Sequence, residues 1–304
     1  MLRLGHQGQL AGGLGRLQGP LLVQPKAPLV IGPRLGQGHP QDEEGPNRAH
    51  APSLRQGGLA VPLDLVYSSP EGRMKRTLVL LGLALGLALA QAEVKGLLDA
   101  GRYVEAYQQG QRLGTAEGLA LAAKAASFYA MYQAKENERY DWFQKAEAAA
   151  TEAIKKDPNY PEGYFERARA LGRLSQYKGI LQALAEGLAP RIKGDLEKTL
   201  KLKPDHAGAM VALALWHFEL VQKGWLVAAT QGADGAKVEP LMRKAIELEP
   251  DVIIHRVEYA KVLAAWGKKE EARKQLETAL SLPARTAADR YDQERARQDL
   301  AKLR

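Results

Sequence analysis

Cysteine is absent from all 304 residues. That absence excludes disulfides, thiol catalysis, Cys-ligated zinc and a lipidated cysteine anchor. Aromatic residues are scarce, at 6%. An excess of one charge is lacking too, once the chain is divided. Of the 43 Lys+Arg and 35 Asp+Glu, residues 1–92 hold nine and five, which leaves 34 against 30 for residues 93–304. A surplus of four over 212 residues is no argument for nucleic acid. HExxH, G-x-S-x-G and Walker sequences are all missing. The reading is therefore of a chain that is not an enzyme and needs no cofactor and no metal. At 45% hydrophobic the chain can still build a core, which excludes wholesale disorder.

Residues 1–73 are rich in Gly, Pro, Gln, Leu and Arg and keep no helical or strand period. Met74-Lys75-Arg76 then leads into an apolar run from Leu78 to Leu89, which ends at Ala90-Gln91-Ala92. A basic end, a short apolar stretch and an Ala-x-Ala site have the form of a cleavable signal peptide, residues 74–92. The run is shorter than the roughly 20 residues that span a bilayer. A signal anchor and a buried helix are the competing readings. A signal peptide is read from an N-terminus, so Met74 is the expected start and 1–73 the translation of upstream DNA. The codons for Glu71-Gly72 form a purine-rich string before Met74, like a bacterial ribosome-binding site. A genuine disordered extension is the alternative. The expected location is periplasmic or secreted, with cleavage after Ala92 and no stable membrane insertion thereafter.

From Glu93 onward Ala, Leu, Glu, Lys, Gln and Arg dominate and no strand pattern survives. Pro158, Pro204 and Pro250 stand 46 residues apart, each closing a phrase like Ala245-Ile246-Glu247-Leu248-Glu249-Pro250. Ten residues after each stands a small residue: Ala168, Ala214 and Ala260. A further phrase, Ala279 to Pro283, follows Ala245 by 34. Proline ends one helix and starts the next. The alanine lets a neighbouring helix approach, and apolar residues at i, i+3, i+4 bury one stripe. A helix pair cannot bury its face alone, so pairs stack.

These residues resemble the tetratricopeptide repeat, a helix–turn–helix unit of about 34 residues. The best copy runs from Asp251 to Pro283, with Ala260, Gly267, Ala272, Leu276 and Ala279 at its packing positions. The resemblance implies an all-α fold over 93–304, a right-handed superhelical stack. It comprises a partial repeat near 93–114 and units near 116–158, 161–204, 207–250 and 253–283. Thr286 to Leu303 reads as a capping helix with a polar outer face. Two units are about twelve residues too long. The surplus falls between the paired helices, at 177–190 and 223–235. The long units and Trp216-His217-Phe218-Glu219 resemble the regulator of microtubule dynamics proteins and their bacterial relatives. A eukaryotic role does not carry over to an exported chain.

Repeat proteins of this type bind peptide segments in a groove lined by the first helix of each pair. Repeat phase puts Phe165, Arg169 and Arg173 there, then Val211, Leu215, Phe218 and Glu219, then Ile254, Val257 and Lys261. That is an apolar groove with a basic end, against the bland reading that apolar helix faces are core. Members that grip a terminal carboxylate carry Lys, Asn or Arg where Phe165, Val211 and Val257 stand, so that grip is not expected. Trp225, on a Gly-containing insertion, is either a contact anchor or folded back as a cap. Trp142, Trp216 and Trp266 lie at core phase. His206 begins a helix, where a cap is expected. His206 and His217 sit about 16 Å apart, too far for one metal. His255 and Glu258 lack a third ligand. Asn137 and Asn159 are the only Asn after residue 92, which fits a heat-adapted source. The expected function is an exported, non-catalytic scaffold with a protein or peptide partner. The alternative is a small-ligand-binding accessory component of a solute uptake system, with a deep pocket between Phe165, Leu215 and Phe218.

Overall fold

The computed structural model describes residues 70–303, so residues 1–69 and what is expected of them lie outside it. Thirteen α-helices and no strands make up the described residues. They are α1 (Pro70–Asp99), α2 (Tyr103–Leu113), α3 (Ala116–Tyr132), α4 (Glu136–Lys156), α5 (Pro161–Leu174), α6 (Ile180–Ala185) and α7 (Leu188–Leu202). There follow α8 (Ala207–Gln222), α9 (Trp225–Gln231), α10 (Val238–Leu248), α11 (Ile253–Ala265), α12 (Lys269–Ser281) and α13 (Ala287–Lys302). Four pairs, α3/α4, α5/α7, α8/α10 and α11/α12, stack in order as a right-handed superhelix, and α1/α2 precede them. The surplus residues of the long units fold as short helices inside the pairs, α6 between α5 and α7, and α9 between α8 and α10.

The local sequence explains the breaks. Pro161 takes the first turn of α5, where its missing N–H costs nothing. Thr115 caps α3 by accepting from the Gly118 amide at 3.1 Å. Thr286 and Asp289 form a reciprocal capping box on α13. Gly267 ends the α11 segment at φ 76°, a left-handed conformation that a side chain would strain.

Alanine sets the spacing between layers. Ala168, Ala214 and Ala260, the small residues read from the repeat phase, are all buried. So are Ala122, Ala126, Ala146, Ala150 and Ala170 at the contacts of α3, α4 and α5. Helices α2 and α3 approach closely where glycine stands at the contact. A Cβ on Gly110 would stand 2.5 Å from the Gly118 carbonyl oxygen and 3.0 Å from the Ala122 Cβ.

Helix α1 divides sharply. Its apolar stretch from Leu78 to Leu89 is exposed, whereas Val94, Leu97 and Leu98 are buried against α2 and α3 with Tyr103 and Ala125. Among the described residues it is the one helix long and apolar enough to cross a membrane, with a mean hydropathy of 1.9.

Helix α13 does more than cover the last pair. It packs on α11 and α12 and also reaches α1 and α3 at the other end of the stack. Tyr291 lies flat on Tyr132, with ring centroids 5.0 Å apart and planes 6° apart. The Tyr132 hydroxyl donates to Asp292 at 3.2 Å, and Gln133 donates to the Gly101 carbonyl at 2.9 Å. Ala287 packs so close to Gly101 that a Cβ there would be 2.7 Å away.

Gly110→Ala is expected to destabilise the chain by about 1–3 kcal/mol, because its new methyl meets backbone rather than a flexible side chain. Chemical denaturation of the two proteins measures this.

Candidate interaction surface

The first helices of the pairs, α3, α5, α8 and α11, form the side of the stack on which repeat phase puts the groove, α3 meeting α5 and α8 meeting α11. Phe165 is 7% exposed and packs on His206, with ring centroids 4.5 Å apart. The Arg169 guanidinium is held over both Phe165 at 4.7 Å and Phe128 at 5.2 Å. Beside it lies Glu166, buried, at 3.3 Å in an ion pair of poor hydrogen-bond geometry. Burial pushes the Glu166 carboxyl up, and the Arg169 and Lys124 charges only partly offset this.

Val211, Phe218 and Val257 are buried in the core shared by α8, α10, α11 and α12, and Leu215 and Ile254 pack partly against it. Glu219 and Lys261 are the open part of this region. They pair at 2.7 Å across α8 and α11, each about half exposed. Arg173, half-buried near the end of α5, has no acidic partner among the described residues.

The histidines do local work. His206 caps α8 by accepting from the Ala209 amide at 3.1 Å, and its other nitrogen lies 3.0 Å from Glu162. His217 accepts from the Asp234 amide at 3.0 Å and so ties the second insertion to α8. His255 is buried with its Nδ1 unpartnered. Burial, with His206 and Arg169 nearby, lowers it to about 4.

Trp225 stands on the surface. It opens α9 and is 80% exposed, beside Leu226 at 59%. Gly224 precedes it at φ 107°, a turn that glycine permits. Trp216 is packed, and its indole donates to the Ala189 carbonyl at 2.9 Å. Trp142 and Trp266 are partly buried against neighbouring cores.

A cleft of 420 Å³ opens where α13 meets the ends of α3, α4 and α5. Arg139, Arg173 and Arg295 line it, together with Tyr132, Tyr177 and Tyr291. Only Arg173 belongs to the residues read from repeat phase. The others escape that reading because they come from the far ends of the stack and from α13. Arg295 donates to Glu258 at 2.9 Å and lies 3.5 Å from Asp292. Burial raises Asp292 to about 6, against the opposing pull of Arg295.

The stacked pairs, the small residues at their contacts and the interposed short helices define a tetratricopeptide-type helical scaffold. A thermophilic tetratricopeptide-repeat protein of Thermus thermophilus has the same fold. Its structure aligns with 71% of this chain and 98% of its own, at a TM-score of 0.51 and 19% identity. The family described as Regulator of microtubule dynamics protein 1-3 matches residues 94–304, and the chain belongs to that family. Regulator of microtubule dynamics protein 3 of Rattus norvegicus is 27% identical over 164 residues. That alignment covers 51% of this chain and 34% of the rat protein, so the chain spans about a third of its relative's length.

Two buried groups are expected to shape the acid limb of the stability curve in opposite senses. His255 is lowered in the folded state, so its contribution is present above pH 6.5 and lost as pH falls towards 4. Asp292 is raised, so its contribution is present below 3.8 and lost as pH rises through 6. His255→Gln therefore flattens acid destabilisation between pH 6.5 and 4, by at most about 3 kcal/mol. Asp292→Asn steepens it. Urea titrations at about pH 7, 5.5 and 4 separate the two.

Proposed function

We propose that this chain is an exported, non-catalytic scaffold that binds another protein through its surface insertions and the charged strip of its inner side. The observation that carries the reading is the exposure of Trp225 and Leu226 on α9. A stack that buries Phe165, Phe218 and Trp216 leaves Trp225 in solvent on an insertion that follows Gly224. An exposed Trp is costly as plain surface and is a common anchor at interfaces. Glu219 and Lys261 supply polar contacts at the inner side, and Arg173 an unneutralised charge. The buried groove-phase residues, Phe165, Val211, Phe218 and Val257, serve this reading by holding the helices that present the open ones.

Export is supported by the Met74-Lys75-Arg76 start, the Ala90-Gln91-Ala92 site and the burial pattern of α1. A cut after Ala92 removes the exposed apolar stretch and retains Val94, Leu97 and Leu98 in the core. The relatives' names concern microtubule dynamics. A bacterial-type export signal points this chain to a different setting, the periplasm or the exterior.

Intact mass and N-terminal sequencing of the native protein test the address. A soluble exported chain beginning at Glu93 is expected. A membrane-bound chain that retains Leu78–Leu89 would show an anchored protein instead. Crosslinking in the same compartment tests the surface. Trp225→Ala is expected to reduce the captured partner about tenfold while leaving the thermal midpoint unchanged, since Trp225 is outside the core. Undiminished capture would remove α9 from the interface.

A further inference from the structure

We infer that the cleft between α13 and the ends of α3, α4 and α5 is a binding site for a small organic anion, a carboxylate carried on a flat apolar body. The inference goes beyond the scaffold reading and does not depend on it. Its place is also distinct from that of Phe165, Leu215 and Phe218, which lie on α5 and α8.

Three features support it. The first is charge. Arg139, Arg173 and Arg295 line the cleft, and Glu294 is the one acidic residue among its lining. Glu294 accepts from Arg297 at 3.1 Å and from Gln298, itself in the lining, at 3.3 Å, which leaves three arginines against one carboxylate. Arg139 pairs with Glu136 at 2.7 Å, and Arg295 is committed to Glu258 and Asp292. Arg173 alone has no acid, so the cleft keeps one guanidinium whose fork is open to an incoming oxyanion. A guanidinium fork matches a carboxylate in two parallel hydrogen bonds.

The second feature is the wall material. Tyr291, 37% exposed, comes from α13, and Tyr177, 42% exposed, comes from the turn after α5. Both are backed by other rings and so held in place. Tyr291 is stacked on Tyr132, and Tyr177 meets Tyr140 edge-on at 5.7 Å. Rigid aromatic walls beside a cation accept a flat body that ends in a negative group.

The third feature is size. At 420 Å³ the cleft falls within the range of about 300–1,000 Å³ typical of small-molecule sites. It exists only because α13 returns to the first pair, since the cleft takes Tyr291, Glu294, Arg295 and Gln298 from that helix.

Benzoate is the probe, with benzamide as its uncharged isostere. Titrations of the purified chain, labelled with ¹⁵N at arginine, are followed through the side-chain Nε–H signals. The site predicts a saturable benzoate shift centred on Arg173, about tenfold weaker binding of benzamide, and weakening of benzoate by raised salt. Arg173→Gln is expected to weaken benzoate about tenfold with no change in thermal midpoint, because it breaks no ion pair. Gln298→Glu, which adds a carboxylate to the wall, is expected to do the same by charge alone. Lys201→Gln, exposed and outside the cleft, is expected to leave binding unchanged. The inference is overturned by any of three results: equal binding of benzoate and benzamide, undiminished benzoate binding in Arg173→Gln and Gln298→Glu, or no saturable shift.

Discussion

The return of α13 to the first helix pair is the constraint on which the rest of the structure turns. A stack of hairpins holds each unit only to its neighbours, so its two ends are independent. Here Tyr291 on α13 stacks on Tyr132 of α3, and Asp292 accepts from the same tyrosine's hydroxyl. Arg295 pairs with Glu258 of α11 from the same helix. A ring pair of this kind is worth about 0.5–1.5 kcal/mol. The ion pair adds geometry more than energy, because desolvating both charges offsets much of their attraction. Together they couple the first and last units.

The coupling has a cost, and other buried groups of the stack carry a similar one. Asp292 and Glu166 sit where burial penalises their charge, and His255 sits where burial penalises its proton. Beside α13 the packing leaves a cleft lined by Arg173, Tyr132 and Tyr291. Trp225 and Leu226 on α9 and the Glu219–Lys261 pair stay open to solvent.

Most of the architecture was legible because the repeat announces itself locally. The prolines at 158, 204 and 250 mark helix starts, and Ala168, Ala214 and Ala260 mark close approaches. All three alanines are buried. The insertions at 177–190 and 223–235 were readable as surplus against the repeat length, though not as the helices α6 and α9. The groove was harder. Repeat phase places Val211, Phe218 and Val257 on the inner side, but phase cannot say how closely the next layer approaches. Alanines at the contacts bring the layers near enough to cover those side chains. Trp225 could be narrowed only to anchor or cap, since a glycine-flanked insertion has no period that orients it.

What the residues determined by themselves was the helix-pair repeat, its boundaries and the apolar stretch before it. Periodicity, proline and small residues act within one or two turns and need no distant partner. What only the tertiary structure decided was the meeting of Tyr132 with Tyr291 and of Glu258 with Arg295, and the sharing of one cleft by Arg173 and Tyr291. Those contacts depend on the twist accumulated over four pairs. A small rotation per unit, set by packing rather than by any local signal, brings residues more than 150 positions apart into one cleft.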